Sequence, residues 1–544
     1  METMGAILGR WLRGYYPLLF AGFSVLSLYQ ANIDDVPPVH VARPLLVALL
    51  VAGLVTWLLR KAAPTPERGS LMAAGTLLVG LSYGQLFDAI RNVEVAGLSL
   101  GHHRYLIAAT LLLWLGWMVW VGWRLRQVSL AARVLQTIAI VVVILPLVGL
   151  GLRGVREAAW RLAPGASGIG AEDQGGLGQS ESEPDIYYLI LDGYGRSDIL
   201  GQYYQLDNSD FTNWLESRGF YVADSATSNY NQTVLSLASS LNMTYLDEFA
   251  QSVAGGVTGR SQLAERLKHS QVRAYLEERG YQVIAFETGY SQTEIRDAGS
   301  YWAPERAGGA SAFLGGRVTS FESLFLNATA FRAALDLDLL RRKLAALDPG
   351  QSLYEAHRVQ VRYTFDSLGR AAAQPGPTFV FAHVIAPHPP FVFDATGGPK
   401  SVKGTFSLAD ADAFGGGTEA YIQGYRDQVV YVDSLAEAAI EQILARSDRP
   451  PVILVQGDHG PGAHMVWDSP EKSLVEERLR ILSAYYFPDR AYDQLYPAIS
   501  PVNSFRVVLD HFFGADLPML PDRNYFATWD RPFDFYDVTA RVVK

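Results

Sequence analysis

The chain has 544 residues, 49% of them hydrophobic, with a mean hydropathy of +0.08 and a formal net charge of −10. That length exceeds one ordinary domain, and the acidic balance argues against a nucleic-acid partner. The absence of cysteine excludes disulfides, thiolate metal ligands and cysteine nucleophiles together.

Nearly all the long apolar runs fall in residues 1–155. Five of them, Tyr15–Asn32, Val41–Leu59, Leu71–Ile90, Tyr105–Trp123 and Val134–Leu152, approach the ~20 residues that a ~30 Å hydrocarbon core requires. Buried core helices are the competing reading, but several such runs in series with short charged loops favour a membrane bundle. Ser, Gly and Gln interrupt the first and third runs. Arg10 and Arg13 precede the first run; Arg60, Lys61 and Arg68 follow the second; Arg124, Arg126 and Arg133 follow the fourth. The alternate loops are poorer in cations, so the positive-inside rule puts the N-terminus in the cytoplasm. Five spans then carry the rest of the chain outside. The first run lacks a small-residue cleavage site and reads as an anchor. Trp114, Trp117, Trp120 and Trp123 lie at helical spacing and read as lipid-facing or interfacial.

Residues 156–183 read as a flexible or interfacial linker, rich in Gly and Ser and without apolar periodicity. From residue 184 to 544 the pattern is that of an extracytoplasmic α/β domain. The runs IYYLILD (Ile186–Asp192), YQVIAFE (Tyr281–Glu287), TFVFAHVI (Thr378–Ile385) and PVILVQGD (Pro451–Asp458) are expected strands. SQLAERLKHSQVRAYLEERG reads as one helix ending at Gly280, and TEAYIQGYRDQVVYVDSLAEAAIEQILAR as a long amphipathic one. The alternation predicts a mostly parallel sheet flanked by helices, with chemistry at the carboxyl ends of the strands.

Three strands deliver polar groups to that edge. Asp192 ends the first, with Gly193 behind it. Asp458, His459 and Gly460 end the last, and His383 leads into APHPP with His388. Each lone Asp would pass as a turn or helix cap. Two carboxylates and an imidazole together suit zinc or manganese better than magnesium or calcium. Thr233, in SNYNQTVLSLASSLN, stands at the start of an expected helix. It is either a cap or a nucleophile. A helix N-terminus favours anions, and a metal on the hydroxyl would lower its pKa. The NMT triplet at Asn242 matches a glycosylation acceptor, a chance match inside a helix.

With these residues assembled, the segment Pro184–Phe526 resembles the alkaline phosphatase superfamily in its sulfatase-like branch. YYLILDGYGRSD, NYNQTVLSLASSLN, HVIAPHPP and VQGDHGPG resemble its first metal strand, nucleophile segment, central histidine strand and second metal turn. The five-span anchor is similar to those of lipoteichoic acid synthases and phosphoethanolamine transferases. The resemblance implies a metal held by Asp192, Thr233, Asp458 and His459, with Thr233 as nucleophile and His388 and His464 as acid/base or phosphate-binding groups. His383 and Asn231 are further substrate-binding candidates. One divalent ion, zinc or manganese, is expected, with a second in reserve. Asp192 departs from the Glu usual in those transferases. The chain also lacks the Cys/Ser-x-Pro-x-Arg motif of true sulfatases, so sulfate ester hydrolysis by that route is not expected. The implied reaction moves a phosphoethanolamine- or phosphoglycerol-type headgroup from a membrane phospholipid to an envelope glycan or lipid through phosphothreonine. A phosphatase or phosphodiesterase with the same site, and a non-catalytic envelope scaffold, are the alternatives. Oligomeric state is not legible.

Overall fold

A computed structural model describes residues 14–33, 36, 38–90, 94–95, 98–99, 102–161, 183–253, 260–305, 319–336, 349–400 and 406–543. Arg10, Arg13, Asp34, Asp35, Arg91 and most of the expected linker lie outside the described residues. The chain divides into two units, one built on residues 1–173 with 307–353, the other on 174–306, 354–403 and 407–544.

In the first unit, helices α1 (Pro17–Ala31), α2 (Val39–Ala62), α3 (Pro66–Ile90), α4 (His103–Val119) and α5 (Val128–Arg161) follow the five apolar runs. Among the described residues, four helical segments are long and apolar enough to cross a membrane, Val39–Ala62, Pro66–Ile90, His103–Arg124 and Val128–Arg153. The described part of α1 is shorter, at 15 residues. α4 ends in a π-helical turn over Trp120–Arg124. The tryptophan row divides by face. Trp114 donates to Thr76 Oγ1 at 2.9 Å and Trp117 to the Leu71 carbonyl at 3.1 Å, both on α3, whereas Trp123 is 81% exposed. Two of the four therefore turn toward α3 and are half-buried, because an indole N–H in an apolar medium needs an acceptor.

Residues 307–353 belong to this unit although the flanking chain belongs to the other. The helix Ser320–Ala328 starts with a capping box between Thr319 and Glu322. Its Phe321 and Phe325 bury among Tyr29, Val36 and Val41. Glu322 pairs with Arg43, and Arg332 with Asp88 at 2.7 Å. Gly84 is needed beneath it, since a Cβ there would lie 1.8 Å from the Asn327 carbonyl oxygen.

The second unit is a seven-stranded sheet of β1 (Asp185–Leu191), β2 (Tyr221–Val222), β3 (Gln282–Phe286), β4 (Ser300–Trp302), β5 (Thr378–Val384), β6 (Pro451–Gln456) and β7 (Ser483–Tyr486), in spatial order β2-β7-β6-β1-β5-β3-β4. β1 pairs in parallel with β5 and β6, and β5 with β3; only β7 runs against its neighbours. The three central strands are buried at every residue, as continuous apolar runs covered on both faces should be. Helix α6 (Thr233–Asn242) is buried along its whole length, and α7 (Thr418–Arg446) matches its expected bounds. The expected helix ending near Gly280 is instead two, Ser261–Lys268 and Gln271–Glu278, because Ser270 caps the second by accepting from the Arg273 N–H. Asn242 is buried and bonds the Ala238 and Arg266 carbonyls.

Candidate metal centre

β1 and β6 are adjacent in the sheet, so their carboxyl ends open side by side. Asp192 follows β1, and its N–H donates to the Val384 carbonyl at the end of β5. Gly193 turns the chain with φ +77°, and its N–H donates to Asp458 Oδ1 at 3.0 Å. After β6, Gly460 lets the chain pass the Glu477 carbonyl, which a Cβ would approach to 2.2 Å. These two turns fix where the acids and the imidazole point.

Asp192 Oδ1, Asp458 Oδ2 and His459 Nε2 converge. His459 Nε2 lies 3.6 Å from Asp192 Oδ1 and 3.3 Å from Asp458 Oδ2. The three ligand atoms all lie within 4.8 Å of one another. Both carboxylate oxygens are buried without a hydrogen-bond partner. Two orphaned carboxylate oxygens facing each other are costly unless a cation sits between them. The residues present therefore fit a divalent ion, and this is the one such group among the described residues.

The imidazole is prepared for that role. Nδ1 donates to the Gly460 carbonyl at 2.9 Å, which leaves Nε2 unprotonated with one lone pair facing the carboxylates. Burial, with Arg478 alongside, pushes His459 down to about 3 despite the nearby carboxylates, so it is neutral near pH 7. Asp192 is held below the usual carboxylate range: burial raises it, but His388, His383 and Arg478 outweigh burial. His383 Nε2 donates to Asp192 Oδ2 at 3.1 Å and its Nδ1 meets Thr293 Oγ1 at 2.9 Å. That is a positioning contact on the first carboxylate.

Thr233 is the first residue of α6, and its Oγ1 lies 3.1 Å from His459 Nε2. Gln232 occupies the cap position and makes no side-chain cap bond. The hydroxyl thus points into the cluster, where the N–H groups of the first helical turn have no partners within the helix. Asn231 turns away from the cluster; its side chain brackets Ala527 through both N–H and carbonyl. His388 Nε2 is 3.7 Å from Asp410 Oδ2, and its ring centroid is 6.2 Å from that of His459. His464 is 38% exposed and bonds Glu477 Oε1 at 3.1 Å, which raises its pKa.

Two buried residues escaped the sequence reading. Arg478 donates to Asp410 Oδ2 at 2.5 Å, to the carbonyls of Gly460 and Asn231, and to His459 Nε2 at 3.1 Å. Asp410 is anchored by Tyr421 OH at 2.6 Å, and the Arg478 and His388 charges keep it ionised against the penalty of burial. Asp410 lies in SLADADAFGGG and Arg478 in VEERL, stretches with no strand-end signal. An arginine in a buried run was the one clue available, since Arg is rarely buried unpaired.

Residues 184–512, more than half the chain, match the protein-family model described as Sulfatase. The C-terminal periplasmic domain of EcEptC from Escherichia coli, in complex with Zn, is similar with 12% sequence identity and a TM-score of 0.40, covering 65% of this chain and 92% of that one. The integral membrane protein lipooligosaccharide phosphoethanolamine transferase A (EptA) from Neisseria meningitidis is similar with 12% identity and a TM-score of 0.38, covering 92% and 95%. The C-terminal periplasmic domain of phosphoethanolamine transferase EptC from Campylobacter jejuni gives 12%, 0.35, and 60% and 89% coverage. No curated protein sequence matches the chain.

Proposed function

The chain belongs to the sulfatase family, and on that premise we propose that it is a metal-dependent phospho-headgroup transferase with Thr233 as nucleophile. One observation carries the reading: Thr233 Oγ1 lies against His459 Nε2, in the same pocket as the orphaned oxygens of Asp192 and Asp458. Zinc or manganese suits this donor set, with Asp192, Asp458, His459 and the Thr233 hydroxyl holding it. The ion would supply charge stabilisation and a more acidic threonine hydroxyl.

The start of α6 presents backbone N–H groups to the donor phosphate. Thr233 Oγ forms a bond to phosphorus as the bond from phosphorus to the lipid oxygen breaks. The threonine proton ends on the departing diacylglycerol hydroxyl, relayed by His388 or His464. An acceptor hydroxyl on an envelope glycan or lipid then attacks phosphothreonine and releases Thr233. Four apolar helices long enough to cross a membrane support a membrane anchor for such a site, and the cation bias of their loops supports an N-terminus inside and, with α1 as a fifth crossing, a domain outside a cytoplasmic membrane. The absence of a nearby Cys/Ser-x-Pro-x-Arg motif separates this chemistry from sulfate ester hydrolysis.

The test is the full chain in phospholipid vesicles carrying a headgroup-labelled lipid, read by intact mass and by peptide mapping. The expected result is one headgroup-phosphate increment on the Thr233 peptide, absent in Thr233→Ala. Full turnover by Thr233→Ala would sink the proposal. Release of free headgroup phosphate with no transfer to any acceptor would replace transferase by hydrolase.

A further inference from the structure

We infer that Arg478 is a catalytic phosphate-binding residue, and that it and a divalent cation compete for the same atom, His459 Nε2. The inference rests on the reading of this pocket as a phosphoryl-transfer centre. It goes beyond it by naming the group that holds the transferring oxygen and what frees that group to do so.

The guanidinium is rigidly placed. Its Nε donates to the Asn231 carbonyl at 2.9 Å, and one terminal nitrogen to Asp410 at 2.5 Å and to the Gly460 carbonyl at 3.1 Å. Its plane also lies over the Trp467 ring, 5.4 Å from the centroid. These contacts hold one side of the fork. The other terminal nitrogen reaches His459 Nε2 at 3.1 Å, the atom that Thr233 Oγ1 also meets at 3.1 Å.

The donors and acceptors allow one assignment. An arginine N–H can only donate, and a backbone carbonyl can only accept. His459 therefore carries its proton on Nδ1 toward Gly460, and Nε2 offers a single lone pair. A cation bound by Asp192, Asp458 and His459 needs that lone pair. Binding it displaces both Arg478 and Thr233 as donors to Nε2. The Arg478 Nε and first terminal nitrogen stay anchored to Asn231, Asp410 and Gly460, so the guanidinium turns aside from the cation without leaving the pocket. Its released N–H is left facing the same pocket as the Thr233 hydroxyl, where a phosphoryl oxygen would accept it.

Charge supports the assignment. Asp192, Asp458 and Asp410 contribute three negative charges and Arg478 one positive charge, all of them buried. A divalent ion brings that set to neutrality. Without Arg478 the loaded pocket would stay anionic and repel a phosphodiester. His464 has its own carboxylate partner, Glu477, and so adds little to this balance.

The experiment measures zinc binding, and then inorganic phosphate binding to the zinc-loaded protein, by calorimetry on the full chain in detergent micelles. Wild type is compared with Arg478→Lys, which keeps a cation for Asp410 but loses the fork to His459. The expected result is zinc binding several-fold tighter and phosphate binding at least about 10-fold weaker. A merely structural arginine would weaken both together with a lowered Tm. Phosphate affinity equal to wild type, or zinc binding unchanged or weaker, overturns the inference. Should the lysine variant fail to fold, D410N/R478Q removes both halves of the buried pair and leaves neither charge stranded; the same two constants decide. Thr233→Ala removes one of the four groups that hold zinc and should weaken zinc binding, while phosphate binding to the zinc-saturated variant still depends on residue 478. Failure of headgroup transfer to Thr233 would therefore fall on the proposed reaction, and indifference of phosphate to residue 478 on this inference.

Discussion

The N–H of Gly193 donates to Asp458 Oδ1 at 3.0 Å, tying the turn after one central strand to the acid after its neighbour. That bond uses one oxygen of Asp458 and leaves the other, Oδ2, facing Asp192 Oδ1 with no partner. Two carboxylates held this way store repulsion until a cation arrives.

Replacing one of them should therefore act in opposite directions with and without metal. Asp458→Asn is expected to raise Tm in chelator, because the facing negative charges are relieved while Oδ1 still accepts from the Gly193 N–H. It should abolish the rise that zinc gives to wild type, which reaches about 2.7 kcal/mol at a zinc concentration 100 times Kd. Thermal unfolding of the detergent-solubilised chain, with and without zinc, reads both. Loss of Tm in chelator would contradict the repulsion.

Thr233→Ala should reduce but not abolish zinc-induced stabilisation, since Asp192, Asp458 and His459 remain, and lower turnover on the order of 10³-fold or more, the scale of losing a nucleophile. Thr233→Ser keeps an oxygen and should retain measurable turnover. Single-turnover kinetics on labelled phospholipid separates the two. Equal loss in both variants would place the importance of Thr233 in its packing and not in its hydroxyl.

Gly460→Ala should disrupt the metal turn itself. The added Cβ would meet the Glu477 carbonyl at 2.2 Å, and neither backbone segment can yield cheaply. A cost of about 1–3 kcal/mol is expected, with loss of zinc stabilisation. An unchanged Tm would mean that the turn relaxes freely.

Asp433 predicts a pH dependence away from the site. Burial pushes its carboxyl up to about 8, from 3.8, although Tyr194 donates to it at 2.7 Å. The folded state therefore holds a proton that the unfolded chain gives up at lower pH. Its contribution to stability is fully present below about pH 4, falls as pH rises, and is gone above about pH 8. Asp433→Asn should flatten Tm between pH 5 and 8.5 and raise it most at the alkaline end. A Tm profile parallel to wild type would show that Asp433 ionises normally.

In the first unit, Arg43 and Glu322 form a partly buried pair between α2 and the helix Ser320–Ala328. Arg43→Ala strands a carboxylate and should cost more than Arg43→Ala combined with Glu322→Gln, measured as Tm in one detergent. Additive losses would mean the two residues act separately.

The sequence carried the strands well. β1, β5 and β6 are continuous apolar runs ending in acid or histidine, and burial on both faces of a parallel sheet demands that pattern. β7 and β2 were not legible. They lie in SAYY and YV, too short to show a period, and they exist because β6 presents an edge to pair with. The packing of Ser320–Ala328 on α1 and α2 was hidden for a related reason: an amphipathic helix shows that it has an apolar face, not what that face will meet.

For the centre, strand-end placement determined Asp192, Asp458 and His459 as candidates, because a strand and the turn after it are local facts; a helix start offered Thr233 as cap or nucleophile, and the family resemblance alone implied its metal role. Asp410 and Arg478 came only from the tertiary structure. They are 68 residues apart, on segments without local signature, and become a pair only because folding buries both beside His459. The fold also decided that His383 braces Asp192, that His464 belongs to Glu477, and that Asn231 turns to Ala527. A sequence displays the chemistry available at each position. Which lone pair faces which donor depends on three-dimensional packing, and at His459 Nε2 that packing brings the Thr233 hydroxyl and an Arg478 N–H to the same atom.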